Sequence, residues 1–189
     1  MHLLLVQGAL FRGHILKITH CNVEYDISHL AGRVIEMGVW TGKHGALVQA
    51  EIEVRFACHC YTGSSSDEPD PGTWSLREGR EWRVFDVHRH SLSLHIPDII
   101  ETLIRSPRKS IQHVRGRHNF KIFQLGLKGV KPGEKYYIFM KIERTNRSGK
   151  PGFHQVKLSV ESAYPKANIV AGDWRPQFGT AIEEILGIR

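Results

Sequence analysis

Residues 51–62 read EIEVRFACHCYT, and this stretch organises the predicted fold. Its side chains alternate with the two-residue period of a half-buried strand. One face, which includes Cys58 and Cys60, belongs to a core. The opposite face carries Arg55, His59 and Tyr61 in a row, residue types that suit a site for an anionic substrate. The stretch therefore predicts a central strand and one wall of a site.

Strand patterns continue on both sides of this stretch. Neighbouring strands are joined by tight turns, such as the one at 42–45, which predicts antiparallel pairing. Residues 63–79 are rich in Ser, Asp, Pro and Gly and predict a long surface loop. The predicted strands are 2–7, 14–19, 33–41, 46–62, 82–87, 118–127, 135–144 and 154–164.

One stretch has the apolar period of a helix. Between 96 and 105 the aliphatic residues form a single stripe, Pro97 lies in the first turn, and Pro107 follows the end. A second, short helix is expected at 180–186. These elements predict an α+β fold with a mainly antiparallel, curled and barrel-like sheet packed on one principal helix at about 96–105.

Length and composition set the domain organisation. The chain has 189 residues and is 41% hydrophobic, which suits a single domain, 1–189, with its own core. Within it we expect a β-rich N-terminal extension over 1–45, a core over 46–165, and a C-terminal tail with a short helix over 166–189. No apolar run of about 18 residues is present and the start lacks a charged signal region, so we expect a cytoplasmic protein without membrane contact.

The chain is basic. Its formal net charge of +7 favours association with polyanions such as RNA. Basic residues cluster at 105–109, 115–118 and 144–150, and both ordinary solvated loops and a phosphate-tracking surface explain these clusters. In the second interpretation Arg117, His118 and Asn119 contact the phosphates or bases of the nucleic acid.

Two His-containing segments have the composition of metal ligands. On a strand, the imidazole of Cys58-His59-Cys60 points away from the two thiols, so core cysteines are the preferred interpretation there. His88 and His90, placed on a strand, would share a face. To hold one metal ion they would need a third ligand, such as His95 or His118. A His-liganded metalloprotein is therefore a third interpretation of the chain, and the preferred interpretation needs no cofactor.

Two parts of the chain resemble known proteins. The helix at 96–104 and the meander that ends in Val160-Glu-Ser-Ala-Tyr-Pro165 resemble the barnase, EndoU, colicin and RelE-like nuclease group, over about the last half of the chain. A second resemblance, to a set of bacterial and phage proteins without a known activity, runs from about 50 to 165. It rests on Phe56-Ala-Cys-His-Cys-Tyr-Thr62, Arg83-Val-Phe, Arg89-His-Ser-Leu-Ser93 and Tyr136-Tyr-Ile-Phe139.

The resemblance to the nuclease group implies metal-independent cleavage of RNA, in which a base takes the ribose 2′-hydroxyl proton and an acid protonates the leaving oxygen. By role, His59 or His88 is the candidate base or acid, Arg89 and Arg83 stabilise charge, and Tyr164 is the positioning phenol. The implied setting is a toxin or phage-related ribonuclease, with RNA as substrate and a protein partner or antitoxin. The residues expected to contact substrate are Tyr61, Thr62, Arg83, Ser93, Arg117, His118, Asn119 and Ser162.

A different class of function stays open. The same basic surface on the same scaffold would serve a non-catalytic module of phage or bacterial origin that binds nucleic acid or protein. RNA cleavage without divalent metal favours the nuclease, whereas salt-sensitive RNA binding without turnover favours the module. Stoichiometric bound metal favours the metalloprotein.

Overall fold

The computed structural model describes residues 16–40, 47–114, 117–146, 149, 151–167 and 175–188, with the backbone alone at 39–40, 47–48, 114 and 117–119. The predicted strand 2–7 and turn 42–45 lie outside the described residues. The strands are β1 Lys17–His20, β2 Val23–Asp26, β3 Arg33–Trp40, β4 Leu47–Phe56, β5 Thr62–Ser65, β6 Ser75–Glu78, β7 Glu81–Phe85, β8 Gln112–Val114, β9 Arg117–Leu125, β10 Lys135–Arg144 and β11 His154–Lys166. The helices are α1 Val87–Ser93, α2 Ile96–Arg105 and α3 Phe178–Leu186, and short 3-10 turns lie at Ser28–Leu30 and Cys58–Cys60.

A six-stranded sheet in the order β3-β4-β11-β10-β9-β8 forms the framework. The predicted antiparallel pairing of β3 with β4 and the predicted meander of β9, β10 and β11 are both confirmed. Strand β4 pairs with β11 in parallel, which makes the sheet mixed. The fold is therefore α+β with mostly antiparallel pairing. Among the described strands β3 and β8 are the two ends of the order, and barrel-like closure stays a prediction.

The two sides of this sheet differ in character. Strand neighbours that face each other share a side, so Val54, Leu158 and Ile142 lie together across β4, β11 and β10, and all three are fully buried. The apolar residues of α2 and α3 belong to the same core, which defines the helix side of the sheet. The opposite side carries Arg55, Ser159 and Lys141 in one row. We call it the charged side.

The helices follow local sequence rules. The predicted principal helix is confirmed as α2, and its buried stripe packs into the core. The expected helix at 180–186 is confirmed within α3, which ends at Gly187 in the left-handed conformation (φ 68°) that glycine adopts without strain. No helix in the described ranges is both long and apolar enough to cross a membrane.

The organising stretch is not a single strand, so the prediction of one strand over 46–62 is wrong. Strand β4 ends at Phe56, and the chain then folds into the 3-10 turn Cys58–Cys60. The Tyr61 N–H and the Thr62 hydroxyl both donate to the Cys58 carbonyl, each at 3.0 Å. Alternation therefore stops at residue 57. Tyr61 is buried in the core, and the predicted outward row with Arg55 does not form.

The segment 63–79 contains strands and is not one long loop. Strands β5 and β6 both pair antiparallel with β7, which gives a three-stranded sheet in the order β5-β7-β6. Only the Ser/Asp/Pro/Gly part at 66–74 connects β5 to β6 without strand structure. Strand pairing with β7 overrides the local turn preference of the remaining residues.

The segment that follows β7 forms helix α1, so the placement of His88 and His90 on a strand is wrong. The Asp86 side chain caps the helix by accepting the Arg89 N–H at 2.9 Å. Residues two apart on a helix lie on opposite sides rather than on one face. His88 is exposed, whereas His90 donates from Nε2 to the Asp26 carbonyl at 2.9 Å.

The β1–β2 hairpin docks onto α1 through aromatic rings. Tyr25 packs against Phe85 with ring centroids 4.6 Å apart, and His90 lies 5.4 Å from both rings. His29 follows the hairpin, and its Nε2 lies 2.8 Å from the Ser93 hydroxyl, which itself donates to the His90 carbonyl. The imidazole therefore donates from Nε2 to Ser93.

We predict that acidification destabilises the fold through His29. Burial, and then the charge of nearby His90, lowers the pKa of His29, while Asp26 raises it and Arg33 lowers it. Because the folded state favours the neutral ring, the unfolded state binds more protons below about pH 6.5, the ordinary pKa of histidine. The free energy of unfolding should therefore be constant above pH 6.5 and fall below it, by at most about 1.4 kcal/mol per pH unit for one group.

Urea unfolding at pH 7.5, 6.5 and 5.5 measures this dependence. His29→Gln keeps a donor for Ser93 and should flatten the profile, because the glutamine does not titrate. An unchanged profile in this variant would contradict the assignment to His29.

Candidate functional site

A cation and two aromatic rings stack at one end of the main sheet. The Arg89 guanidinium lies 5.1 Å from the centroid of the Tyr164 ring. The Tyr164 ring in turn stacks on Phe139, with centroids 5.2 Å apart and planes inclined by 21°. Phe139 and Tyr164 lie on the charged side, which their strand register with Ser162 and Tyr137 establishes. We call these three residues the Arg89 stack.

Two further contacts fix the guanidinium of Arg89. Its Nη1 donates to the Thr62 carbonyl at 2.6 Å, and its Nε lies 3.6 Å from the Asp86 carboxylate. A guanidinium has five N–H donors, so these contacts leave most of the donors on its edge for a ligand. The side chain is 25% exposed and is therefore accessible to one.

The charged side continues from the stack along β11. Ser162 lies opposite Phe139, next to Tyr164 on the same side of the strand, and it is half-buried. Further along, Arg55 donates to the buried Glu53 carboxylate at 2.8 and 2.9 Å, and Lys141 is paired with Glu143 at 2.6 Å. Arg55 and Lys141 are thus each paired with a carboxylate on this side.

A second group of polar side chains surrounds His59. Its Nε2 lies 2.8 Å from the Glu78 carboxylate, and the Arg83 Nε donates to the same carboxylate oxygen at 2.8 Å. The Arg83 Nη2 lies 3.3 Å from the His59 Nδ1. The hydrogen bond from Arg83 lowers the pKa of Glu78, and His59 lowers it further. We call these three residues the His59 cluster.

The hydrogen bonds of this cluster define the tautomer of His59. A guanidinium only donates, so Nδ1 must accept from Arg83, and Nε2 then carries the proton that is donated to Glu78. In this arrangement the imidazole has no lone pair left to accept a substrate proton. His59 becomes a general base only if Arg83 leaves Nδ1.

The two groups lie on neighbouring positions of β5. Arg89 contacts the Thr62 carbonyl, and Arg83 on β7 is opposite Ser64 in the antiparallel register. Two residues along a strand span about 7 Å. The structure therefore brings Arg89 together with Tyr164 and His59 together with Arg83, as two adjacent groups joined by one short strand.

The two cysteines of the 3-10 turn differ in environment. Burial raises the pKa of the Cys60 thiol, and its Sγ lies 3.8 Å from the Val160 carbonyl. Burial also raises the pKa of Cys58, with Glu78 raising it further and Arg83 lowering it. Both thiols are unpaired and protonated at neutral pH, as expected for core cysteines.

The other proposed site residues lie apart from these groups. His88 is exposed on α1, Tyr61 packs against Trp74 and Phe85 in the core, and Ser93 is fully buried with its hydroxyl bonded to His90. Arg117, His118 and Asn119 belong to β9, and their side chains lie outside the described residues. In the part of the chain that is described, no group of three or more His, Cys, Asp or Glu side chains is arranged to hold a metal ion.

Comparison with known proteins assigns the chain to a family. A family model described as the YjaZ family matches residues 17–184, which is most of the chain. The chain belongs to the YjaZ family. Neither the comparison with curated proteins nor the comparison with solved structures found a match.

Three residues of the site in this YjaZ-family chain were missed by the sequence analysis. Glu78 holds His59 and Arg83 together, but it lies in a segment predicted as loop. Asp86 precedes an amphipathic run, and an aspartate in that position is a helix N-cap signal that would have revealed α1. Phe139 alternates with core residues on β10, and only the strand register shows that it meets Tyr164.

Proposed function

We propose that this YjaZ-family chain binds single-stranded RNA through the Arg89 stack. The observation that carries the proposal is the guanidinium of Arg89, which lies over the Tyr164 ring and has N–H donors beyond the one bonded to Thr62. Planar guanidinium edges bind phosphate oxygens in pairs, and a pre-oriented side chain loses little conformational entropy on binding.

Two features favour RNA over a small anion. The half-buried Tyr164 ring contacts the cation and stacks on the half-buried Phe139 ring, and aromatic and guanidinium planes are what unstacked bases pack on. The formal net charge of +7 adds a long-range attraction for any polyanion. A single strand exposes both its bases and its phosphates, so it can use both features at once.

Fluorescence anisotropy with a labelled single-stranded RNA of about ten nucleotides tests this proposal. Affinity should fall linearly in log units with the logarithm of salt concentration between 50 and 300 mM, because phosphate contacts release counterions. Tyr164→Ala should weaken binding severalfold at every salt concentration, since it removes the ring against which the Arg89 guanidinium is held. Absence of salt-dependent binding by the wild-type protein would contradict the proposal.

A second candidate function is metal-independent ribonuclease activity, and the His59 cluster favours it. A bound phosphate would compete with Glu78 and with the His59 Nδ1 for the Arg83 guanidinium. Movement of Arg83 would free the Nδ1 lone pair to accept the ribose 2′-hydroxyl proton, while Glu78 keeps its bond to the Nε2 proton and stabilises the imidazolium that forms. The 2′-oxygen attacks phosphorus, the bond from phosphorus to the 5′-oxygen breaks, and the 5′-oxygen leaves with a proton from water.

Incubation of the labelled RNA with protein and EDTA tests the second candidate. Cleavage should leave 2′,3′-cyclic phosphate ends, and His59→Ala should abolish it while RNA binding persists. If RNA of several sequences is bound but stays intact, the ribonuclease candidate is contradicted and the RNA-binding function is retained.

A further inference from the structure

The carboxylate of Asp86 is held in place next to the Arg89 stack. Its Oδ1 accepts the Arg89 N–H at 2.9 Å, which is the capping bond of α1. The Asp86 backbone is also bonded on both sides, since its N–H donates to the Tyr61 carbonyl at 3.1 Å and its carbonyl accepts the His90 N–H at 2.8 Å. A capping side chain that moves away leaves a backbone donor of the helix without a partner. We therefore expect Asp86 to stay where it is when a ligand binds nearby.

The second oxygen of this carboxylate lies beside the guanidinium that the proposed function uses. Asp86 Oδ2 is 3.6 Å from the Arg89 Nε, and it is 3.9 Å from the position that a Cβ on Gly63 of β5 would take. The Arg89 Nη1 donates to the Thr62 carbonyl, and Nη2 has no hydrogen bond within the described residues. An incoming phosphate therefore still finds N–H donors on Nη1 and Nη2, while Asp86 remains at Nε.

A ligand on these donors has to tolerate the negative charge of Asp86. A guanidinium is small, so anions on two of its edges lie within the Debye length of about 8 Å at physiological salt, and they repel each other. The repulsion is proportional to the charge of the ligand. A phosphodiester carries one negative charge, whereas a phosphate monoester carries about −1.5 to −2 at neutral pH. The carboxylate therefore opposes the binding of a monoester, or of free phosphate, more than that of a diester.

We propose that Asp86 is a specificity-determining residue, through which the Arg89 stack selects the singly charged phosphodiester within an RNA strand over a terminal or free phosphate. The inference rests on the RNA-binding function proposed above and narrows the recognised group to the diester. Asp86 acts through Arg89 and is therefore a positioning residue, which does not itself contact the RNA.

Asp86→Asn tests the inference, because it removes the charge and keeps a side chain that caps helices as well as aspartate does. The affinity for a ten-nucleotide RNA without terminal phosphates should rise about two- to fivefold, the effect of one exposed ion pair. The affinity for inorganic phosphate, measured at constant ionic strength by its competition with this RNA, should rise by about the square of that factor, since the repelled charge is about twice as large. Both gains should disappear in the Arg89→Ala background.

Glu101→Gln is the matched control for the loss of one negative charge. Glu101 is 38% exposed, close to the 39% of Asp86, and it pairs with Arg105 on α2. The pair has no described contact with the Arg89 stack. The control should raise the affinity for RNA by less than about twofold and should leave the ratio of the phosphate and RNA affinities unchanged, because exposed charges at a distance are screened.

The outcomes separate the two proposals. Wild-type protein that does not bind the RNA, or that binds it equally well after Arg89→Ala, overturns the proposed function and this inference with it. RNA binding that depends on Arg89 but is unchanged or weaker in Asp86→Asn overturns the inference alone. The inference is also overturned if the gain for phosphate does not exceed the gain for RNA. Urea unfolding shows whether Asp86→Asn keeps the cap, and Asp86→Ser, another neutral capping residue, takes its place in the experiment if the free energy of unfolding falls.

Discussion

Arg89→Ala should reduce the affinity of the protein for single-stranded RNA by about 10- to 100-fold. The substitution removes charge-assisted hydrogen bonds to phosphate, which contribute about 1.5–3 kcal/mol each. It also removes the cation that stacks on Tyr164. Arg89→Lys should bind with intermediate affinity, since an ammonium retains the charge but has no planar edge for paired contacts. Fluorescence anisotropy at one fixed salt concentration measures both variants.

Arg105→Ala is the matched control for the loss of one positive charge. Arg105 lies at the end of α2, is 65% exposed, and pairs with Glu101 on the same helix. It belongs to the basic cluster at 105–109 and has no described contact with the Arg89 stack. The control should lose less than about threefold in affinity, because exposed charges are strongly screened. A larger loss of RNA affinity in Arg105→Ala than in Arg89→Ala would contradict the proposed site and indicate that the RNA binds at the basic loops.

Leu158→Ala should destabilise the fold by about 2–5 kcal/mol, the cost of truncating a large aliphatic side chain in a packed core. Leu158 is 0% exposed and lies on β11 between Val54 of β4 and Ile142 of β10. A cavity at this position removes packing contacts with both neighbours of β11, the parallel strand β4 and the antiparallel strand β10. Urea unfolding followed by circular dichroism measures the change in the free energy of unfolding.

Leu76→Ala removes the same atoms at a site that is 43% exposed on β6. This variant should change the free energy of unfolding by less than about 0.5 kcal/mol, as is usual for surface substitutions. Similar losses in the two leucine variants would contradict the assignment of the core to the helix side of the main sheet.

The parts of the fold that depend on local pattern could be predicted from the sequence. The spacing of aliphatic residues between Ile96 and Ile104 is sufficient to predict α2. The bounds of β10 follow from the turns rich in Gly, Lys and Pro on both sides of it. Hairpin pairing follows from adjacent strands with short connections. The parallel pairing of β4 with β11 joins residues about a hundred positions apart, and no local pattern encodes it.

Short elements were the least predictable. The run HRHSLSLH at 88–95 alternates like a strand, but the capping contact of Asp86 with the Arg89 N–H favours a helix.

An alternating pattern also does not reveal which charged side chains are buried. Lys121 lies almost fully buried on the helix side, where burial lowers its pKa to about 8 and Glu184 opposes the shift. A strand lysine reads as a surface residue unless the helix that covers it is known.

The candidate site was predictable by residue type but not by grouping. Histidine, arginine and tyrosine were selected because anionic ligands need them, and Arg89 and Tyr164 do contact each other. The separation of His59 and Arg83 into a second group depends on the path of β5 to β7, which pairs strands across a segment predicted as loop. The roles of all these residues in binding or catalysis stay predictions.

Photochemical cross-linking tests the central claim, that RNA lies on the Arg89 stack, most directly. The wild-type protein is mixed with a ten-nucleotide RNA that contains 4-thiouridine, irradiated and digested, and the modified peptides are identified by mass spectrometry. We predict adducts on Tyr164 and Phe139, the two aromatic rings of the Arg89 stack, and their loss in Arg89→Ala. Adducts confined to the basic segment 105–109, with none on β10 or β11, would contradict the account.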